Sequence, residues 1–307
     1  MKNKEKNFIS AVVYVHNNES EIIEFHKMLL TILDENFERS EIIYVNDSSK
    51  DDSMEKIKEN KELAKSTSVS ILNMSYFHGL EIAMNAGVDM AIGDFVFEFD
   101  SVSIDYNPEE IMKCYKRSLE GYDIVSASPN KKSRKSSSLF YWIIYKLNHV
   151  KMFTERFRVL SRRVINRIAS MNKDIPYRKI IYSNCGLKKD TIFYNAKTKK
   201  ISQAERKYRI NLAANSLILF TDVGYKFSVA ITVGMMLIAI FMAIYSIVIY
   251  ALGNPVEGWL TTILFVSVAF FGMFAILTII VKYLQLLVDL VFKRKRYSFE
   301  SIEKITK

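Results

Sequence analysis

The sequence has only two cysteines and four histidines in 307 residues. Cys114 and Cys185 have no partner at a spacing typical of a motif, and the histidines are scattered, so no zinc motif is present. The chain also has no G-x-G-x-x-G after its first apolar run and no Walker motif. These absences argue against a zinc protein, a dinucleotide-binding domain and a P-loop protein. A cytoplasmic protein keeps both cysteines reduced.

Charge is missing from two long stretches, residues 227–252 and 259–281. Each is long enough to cross about 30 Å of hydrocarbon as a helix, which predicts two membrane spans. Lys226 precedes the first stretch, four basic residues at 293–296 follow the second, and the short loop 253–258 has no Lys or Arg. This distribution predicts a protein of the cytoplasmic membrane whose N- and C-termini are both cytoplasmic. Two spans without internal charge argue against a transporter.

The net charge of +10 is unevenly distributed. Residues 131–209 contain 22 Lys and Arg against 4 Asp and Glu. Directly before a membrane span, such a segment favours anionic headgroups or a lipid phosphate as its partner. A solvated surface is the alternative for part of this charge. Nucleic acid is not expected as a partner, because the membrane is close by.

The first 130 residues alternate strand and helix patterns, which predicts a mostly parallel, doubly wound α/β sheet. The predicted strands are Ile9–His16, Glu41–Val45, Ser68–Asn73, Asp94–Phe99 and Tyr122–Ser128, and the predicted helices are Glu19–Glu35, Asp51–Ala64, Gly79–Ala91 and Pro108–Leu119. After Ser128 the pattern changes. Leu139–Val150 and Ile210–Phe220 are amphipathic and are predicted to lie in the membrane interface, with packing on the sheet as the alternative.

These patterns divide the chain into four predicted regions. Residues 1–130 are predicted to form the α/β core, and 131–226 a basic juxtamembrane segment with interfacial helices. Residues 227–288 form a transmembrane hairpin, and 289–307 form a basic cytoplasmic tail.

Polar clusters follow four of the predicted strands. They are His16–Glu19, Asn46–Ser53, Tyr76–Gly79 and Asp100. Each alone is equally consistent with a helix cap. Four clusters at the carboxyl edge of one sheet predict a ligand site, because ligands of open α/β sheets bind there. A carboxylate such as Asp100 suits a divalent metal, which in turn can hold a diphosphate.

The order of these segments resembles the family 2 glycosyltransferases of the GT-A fold, and more narrowly the polyprenyl-phosphate glycosyltransferases. The family pattern V-P-x-Y-N-E-E is similar to Val13–Glu19, and V-D-D-G-S-x-D is similar to Val45–Asp51. Further similar elements are Gly121–Val125, Phe157–Arg163, Ala204–Tyr208 and the stretch that ends at Gly93 and Asp94. The resemblance extends over nearly the whole chain.

The resemblance implies transfer of a sugar from a nucleotide sugar to a polyprenyl phosphate at the cytoplasmic leaflet. It implies that residues 1–130 are the nucleotide-sugar-binding core and that 131–226 are the acceptor-side segment. It implies Mg²⁺ or Mn²⁺ on Asp100, with Asp100 and Asp105 as the catalytic carboxylates. The nucleotide donor is expected to contact His16, Asn17, Glu19, Asp47, Ser48 and His78. The acceptor phosphate is expected at the basic side chains Arg134, Lys135, Arg158 and Lys207. It further implies a homo-oligomer formed through the C-terminal helices.

The metal motif departs from the family pattern D-x-D-L-Q-D-P-P-E. The stretch here is Asp100–Glu109, in which the second aspartate is replaced and Asp105 supplies a second ligand only if the loop folds back. Asn18, Asn46, Leu80 and Arg156 also differ from the family residues. Two hypotheses follow: an active enzyme with an altered donor or metal dependence, and a membrane protein that keeps the fold as a binding or scaffolding subunit.

Overall fold

The computed structural model describes residues 4–130, 155–171, 178–196, 259–292 and 297–306, together with 230–231, 234–235, 237–238 and 241. The chain divides into two compact units. The first consists of Met1–Arg209 and Lys295–Lys307, and the second of Ile210–Arg294. The chain therefore leaves the first unit and re-enters it at its C-terminal end.

The first unit alternates strands and helices as the sequence predicts. Its first half contains β1 (Ile9–Val15), α1 (Ile22–Asn36), β2 (Ser40–Asn46), α2 (Ser53–Glu59), β3 (Thr67–Met74), α3 (Leu80–Met90), β4 (Phe95–Phe99), α4 (Glu109–Leu119) and β5 (Ile124–Pro129). These are followed by β6 (Phe157–Ser161), α5 (Arg162–Met171), α6 (Arg178–Asn184) and β7 (Lys189–Tyr194). The helix predicted at 51–64 is shorter, because the chain turns at Asn60 into a 3₁₀ segment at Lys61–Leu63.

The strands form one sheet of order β7-β5-β6-β4-β1-β2-β3-β8, in which β8 is Phe299–Lys304. Strands β1 to β4 pair in parallel, and β5 pairs in parallel with β7. Only β6 and β8 run antiparallel to their neighbours among the described strands. The prediction of an α/β fold is confirmed, and the sheet as a whole is mixed.

The antiparallel strands β6 and β8 were not predicted. Strand β6 pairs with β4 so that Arg158 lies opposite Glu98, and its Phe157 end lies beside Phe99 at the carboxyl end of β4. Strand β8 lies in the region predicted as a basic tail and pairs with β3 at the edge of the sheet. Both strands bring distant residues to the sheet edge where the polar clusters lie.

The second unit contains one long described helix, α7 (Trp259–Phe292). Among the residues whose side chains the structure describes, no helix is long and apolar enough to cross a membrane. Most of the first predicted span, 227–252, lies outside the described residues, and α7 includes the second, 259–281. The membrane spans are therefore not confirmed. The predicted interfacial helices at 139–150 and 210–220 also lie outside the described residues.

A buried histidine connects α1 to the sheet. The His26 ring is fully buried, and its Nδ1 lies 2.8 Å from the hydroxyl oxygen of Tyr44 in β2. Burial lowers the pKa of His26 from 6.5 to about 4, although the nearby backbone of Asn60 opposes this. The folded chain therefore keeps this ring neutral at pH values where the unfolded chain protonates it.

We expect acid to destabilise the protein through His26. Between pH 6.5 and 4 the unfolded chain binds more protons at this ring than the folded chain, so the free energy of unfolding decreases as the pH falls. The loss is at most about 3 kcal/mol and is absent above pH 7. Urea unfolding of wild type and His26→Gln across this pH range measures it. The prediction fails if the two proteins have the same pH dependence.

Candidate functional site

The polar segments that follow β1 and β2 are hydrogen-bonded to each other. The Asn18 amide donates to Ser53 Oγ at 2.9 Å, and the Glu19 amide donates to Asp51 Oδ2 at 2.9 Å. The Lys50 amide donates to Asn17 Oδ1 at 2.8 Å. Both turns contain a non-glycine residue with positive φ, Asn17 at 53° and Ser48 at 57°. The two predicted donor-side clusters therefore form one rigid surface at the carboxyl edge of the sheet.

Asp47 holds the loop that follows β3. It is fully buried, and its carboxylate accepts hydrogen bonds from the His78 amide at 2.7 Å, the Gly79 amide at 2.8 Å and the Tyr14 hydroxyl at 3.0 Å. It also lies at the N-terminus of α3, where the helix dipole favours a negative charge. Three groups of the chain bind the carboxylate oxygens of Asp47 in this structure, and its contact with the nucleotide donor stays a prediction.

An exposed aromatic pair lies on this loop. Tyr76 is 61% exposed and Phe77 is 52% exposed. The Tyr76 ring stacks on His78 with centroids 4.0 Å apart, and the Phe77 ring lies 4.7 Å from that of His16. The His78 ring is itself bonded at both nitrogens, to the Tyr76 carbonyl oxygen and the Ser298 amide. His78 therefore supports the loop, and the exposed faces belong to Tyr76 and Phe77.

Asp100 lies at the end of β4, as predicted, but its carboxylate is already paired. Arg158 Nη2 donates to Oδ2 at 2.7 Å, and Arg178 Nη2 donates to Oδ1 at 2.8 Å. Lys179 Nζ lies 4.0 Å from Oδ2. Burial alone raises the pKa of Asp100, but the charges of Arg158, Arg178 and Lys179 outweigh it and hold this pKa below its usual range.

The two arginines bind further carboxylates. Arg158 Nη1 donates to Glu98 at 2.7 Å, and Arg178 Nε donates to Glu81 at 3.0 Å. Tyr182 donates its hydroxyl hydrogen to Glu98 at 2.6 Å. Both arginines are 1% exposed. We call Glu81, Glu98, Asp100, Arg158 and Arg178 the arginine cluster.

The predicted metal site does not fit a divalent cation. Mg²⁺ and Mn²⁺ bind carboxylate oxygens with free lone pairs, whereas both oxygens of Asp100 accept from guanidinium groups. Asp105, the predicted second ligand, accepts from Arg156 Nε at 2.8 Å and from the Tyr194 hydroxyl at 2.9 Å. Within the described part of the chain, no group of three His, Cys, Asp or Glu residues is arranged to hold a metal. Asp100 and Asp105 are therefore ion-pair and hydrogen-bond partners in this structure, and their catalytic roles stay predictions.

The structure describes one of the four predicted acceptor residues, Arg158. Arg158 is buried among Glu98, Asp100 and Glu155, which bind its guanidinium group in this structure, and its role as a phosphate ligand stays a prediction. Arg134, Lys135 and Lys207 lie outside the described residues. Sequence reasoning missed Glu81, Glu98 and Arg178. Glu98 and Arg158 each stand inside an apolar strand sequence, and this pair of buried opposite charges was an available signal for the contact.

The arrangement of the sheet identifies the class of protein. It resembles the solved structure of the mannosyltransferase PcManGT from Pyrobaculum calidifontis in complex with GDP-Man and Mn²⁺, with a TM-score of 0.52. The two are 15% identical, and the match covers 70% of this chain and 63% of that one. The likeness defines a GT-A-type α/β fold. The family model "Glycosyl transferase family 2" matches residues 10–172, more than half of the sequence, so the chain belongs to this family.

Two relatives extend the comparison. An uncharacterized glycosyltransferase, YkcC of Bacillus subtilis, is 28% identical over 193 residues, which are 60% of this chain and 59% of that protein. The bactoprenol glucosyl transferase of Shigella phage SfV is 28% identical over 276 residues, 86% of this chain and 88% of that protein. The chain thus spans less than two thirds of the Bacillus relative and most of the phage relative.

Proposed function

We propose that the protein transfers a sugar from a nucleotide-sugar donor to a polyprenyl phosphate at the cytoplasmic face of a membrane. The donor half of this proposal is the binding of a nucleotide sugar, and the observation that carries it is the exposed pair Tyr76 and Phe77. The pair stands beside the interlocked turns after β1 and β2, at the sheet edge where α/β proteins bind nucleotides. Flat aromatic faces bind a nucleobase by stacking, and this does not require a particular base.

The basic segment supports the acceptor half of the proposal. Its 22 Lys and Arg residues against 4 Asp and Glu suit a lipid phosphate. The phage relative, whose match covers 86% of this chain, is named as a bactoprenol glucosyl transferase. A phosphate acceptor is already anionic at neutral pH, so the transfer does not require a separate general base.

Placement at the cytoplasmic membrane is part of the same proposal. The charge-free stretches 227–252 and 259–281 support it, as does the apolar surface of α7. Large apolar side chains on this helix are about half exposed or more, a surface typical of contact with lipid or with another helix. They are Phe270, Met273, Phe274, Leu277, Ile280, Leu284 and Leu287. Association of copies through these C-terminal helices also remains part of the proposal.

The test is a donor screen on the full chain in nanodiscs that contain undecaprenyl phosphate. We expect one or more nucleotide sugars to release nucleoside diphosphate only when the lipid phosphate is present. Nanodiscs with undecaprenol, which has no phosphate, are the control. Release that is independent of the lipid phosphate contradicts the acceptor half. No turnover and no nucleotide binding contradict the donor half.

The alternative function is a membrane-bound binding or scaffolding subunit that keeps the fold without the reaction. The observation that favours it is that Arg158 and Arg178 both bind the carboxylate of Asp100. The two candidates differ in one result. The scaffold releases no nucleoside diphosphate from any donor, whereas the enzyme does.

We expect Phe77→Ala to weaken nucleotide binding about tenfold, because an exposed aromatic face contributes about 1–3 kcal/mol when it stacks on a base. Calorimetric titration with UDP and GDP measures the change. Ile92→Ala is the matched control, since Ile92 is 70% exposed and belongs to the turn that precedes β4. Equal affinities of the Phe77 variant and wild type contradict this role of the loop.

A further inference from the structure

The arginine cluster lies at the end of β4, where a metal ligand was expected. Its carboxylates are contributed by α3 (Glu81) and by β4 and its end (Glu98 and Asp100). Its guanidinium groups come from β6 and from the start of α6. Four elements of the first unit, α3, β4, β6 and α6, therefore contribute side chains to one buried cluster of charges.

The strand register fixes this arrangement. Glu98 and Arg158 are directly opposite each other in the β4–β6 pair, which places the guanidinium group of Arg158 beside the carboxylate of Glu98. Arg158 then bridges to Asp100 with its second terminal nitrogen at 2.7 Å. The backbone amide of Arg178 also donates to Glu81 at 2.9 Å, so the start of α6 is held on the same cluster.

Cations of the chain already bind the carboxylate of Asp100. Four carboxylates, those of Glu81, Glu98, Asp100 and Glu155, face two guanidinium groups, and the ammonium group of Lys179 lies 4.0 Å from Asp100. Both oxygens of Asp100 accept from guanidinium groups, so neither is without a cationic partner. A divalent cation at Asp100 would have to displace at least one guanidinium from a buried position, and an unpaired buried charge is strongly unfavourable.

We propose that Arg158 and Arg178 occupy the electrostatic position of a divalent cation at Asp100, so that this chain binds its nucleotide without a metal at that residue. The identity of the ligand as a nucleoside diphosphate rests on the proposed function. The claim about Asp100 rests only on the ion pairs and on the burial of the two arginines.

The first test measures Mn²⁺ directly. The full chain in nanodiscs is titrated with Mn²⁺, and the free ion is followed by electron paramagnetic resonance, for wild type and for Asp100→Asn. We expect identical titrations, with no stoichiometric site that the substitution removes. A saturable site in wild type that is lost in Asp100→Asn overturns the proposal.

The second test compares nucleotide affinities in EDTA and in MnCl₂ by calorimetry with UDP and GDP. We expect the dissociation constants to agree within about twofold, which is a difference well below 1 kcal/mol. A loss of affinity of about tenfold or more in EDTA overturns the proposal. If neither nucleotide binds, the proposed function fails at its donor half, and the Mn²⁺ titration still decides the inference.

The third test frees one oxygen of Asp100 for a metal ion. Arg178→Gln removes the guanidinium from Oδ1 of Asp100 and from Glu81, and we expect Mn²⁺ to raise the melting temperature of this variant but not that of wild type. Arg178→Lys keeps a cation and is expected to respond as wild type does. Arg163→Gln is the control at an exposed arginine, 74% exposed at its side chain. A Mn²⁺ response of equal size in wild type overturns the proposal, and the first test still decides it if Arg178→Gln does not fold.

Discussion

Replacing Arg158 with Met is expected to lower the free energy of unfolding by about 3–5 kcal/mol, the usual cost of breaking a buried ion pair from one side. The Met side chain fills much of the space but leaves Glu98, which is fully buried, without the guanidinium opposite it. Asp100 loses one of its two arginine partners at the same time. Urea unfolding of the full chain, followed by far-UV circular dichroism, measures the change.

The control for Arg158→Met is Arg163→Met, which removes a guanidinium from an exposed position of α5. We expect it to change the free energy of unfolding by less than about 1 kcal/mol. In Arg158→Met, Glu98 keeps Arg178 as a cationic partner at 3.1 Å. Adding Glu98→Gln to Arg158→Met removes the carboxylate charge that has lost its opposite guanidinium, and is expected to recover part of the loss. Equal stabilities of Arg158→Met and Arg163→Met would contradict a structural role of the cluster.

Asp47→Ala is expected to have the second large effect. It leaves the amides of His78 and Gly79 and the hydroxyl of Tyr14 without their acceptor, and each unsatisfied buried group costs about 1–3 kcal/mol. Because these amides directly precede α3, the loop with Tyr76 and Phe77 loses its fixed position. We therefore expect both a lower melting temperature and a loss of UDP and GDP binding.

Hydrogen exchange of the amides of His78 and Gly79 is the most direct measurement for Asp47→Ala. Both are expected to exchange much faster than in wild type, since their hydrogen bonds to the carboxylate are gone. Asp52→Ala removes an exposed carboxylate from the same turn and is the matched control. Unchanged exchange at both amides would show that the carboxylate of Asp47 does not hold the loop.

Much of the sheet could be predicted, because its elements are coded locally. Strands β1 to β5 are short apolar runs, and the first four end at polar clusters. Strand β8 was missed for a local reason as well. Its sequence Phe299–Lys304 contains two Glu and one Lys, which suits the edge strand of a sheet but resembles a charged tail.

The candidate site could be predicted only in part. The turns after β1 and β2 meet as expected, since parallel strands end at the same edge of a sheet. Tyr76 and Phe77 belonged to a predicted cluster, but nothing in the local pattern indicated that His78 is fixed and the other two rings are exposed. That division depends on Ser298, which lies 220 residues further along the chain.

Sequence was sufficient for the α/β class, the parallel core, the sheet edge at which the polar clusters gather and the membership of glycosyl transferase family 2, because periodicity and short motifs carry this information. The state of Asp100 depended on the tertiary structure. Its partners Arg158 and Arg178 are 58 and 78 residues away. Whether a carboxylate at a strand end has free oxygens for a metal depends on which charges the sheet register and α6 bring to it, and no local pattern around Asp100 contains them.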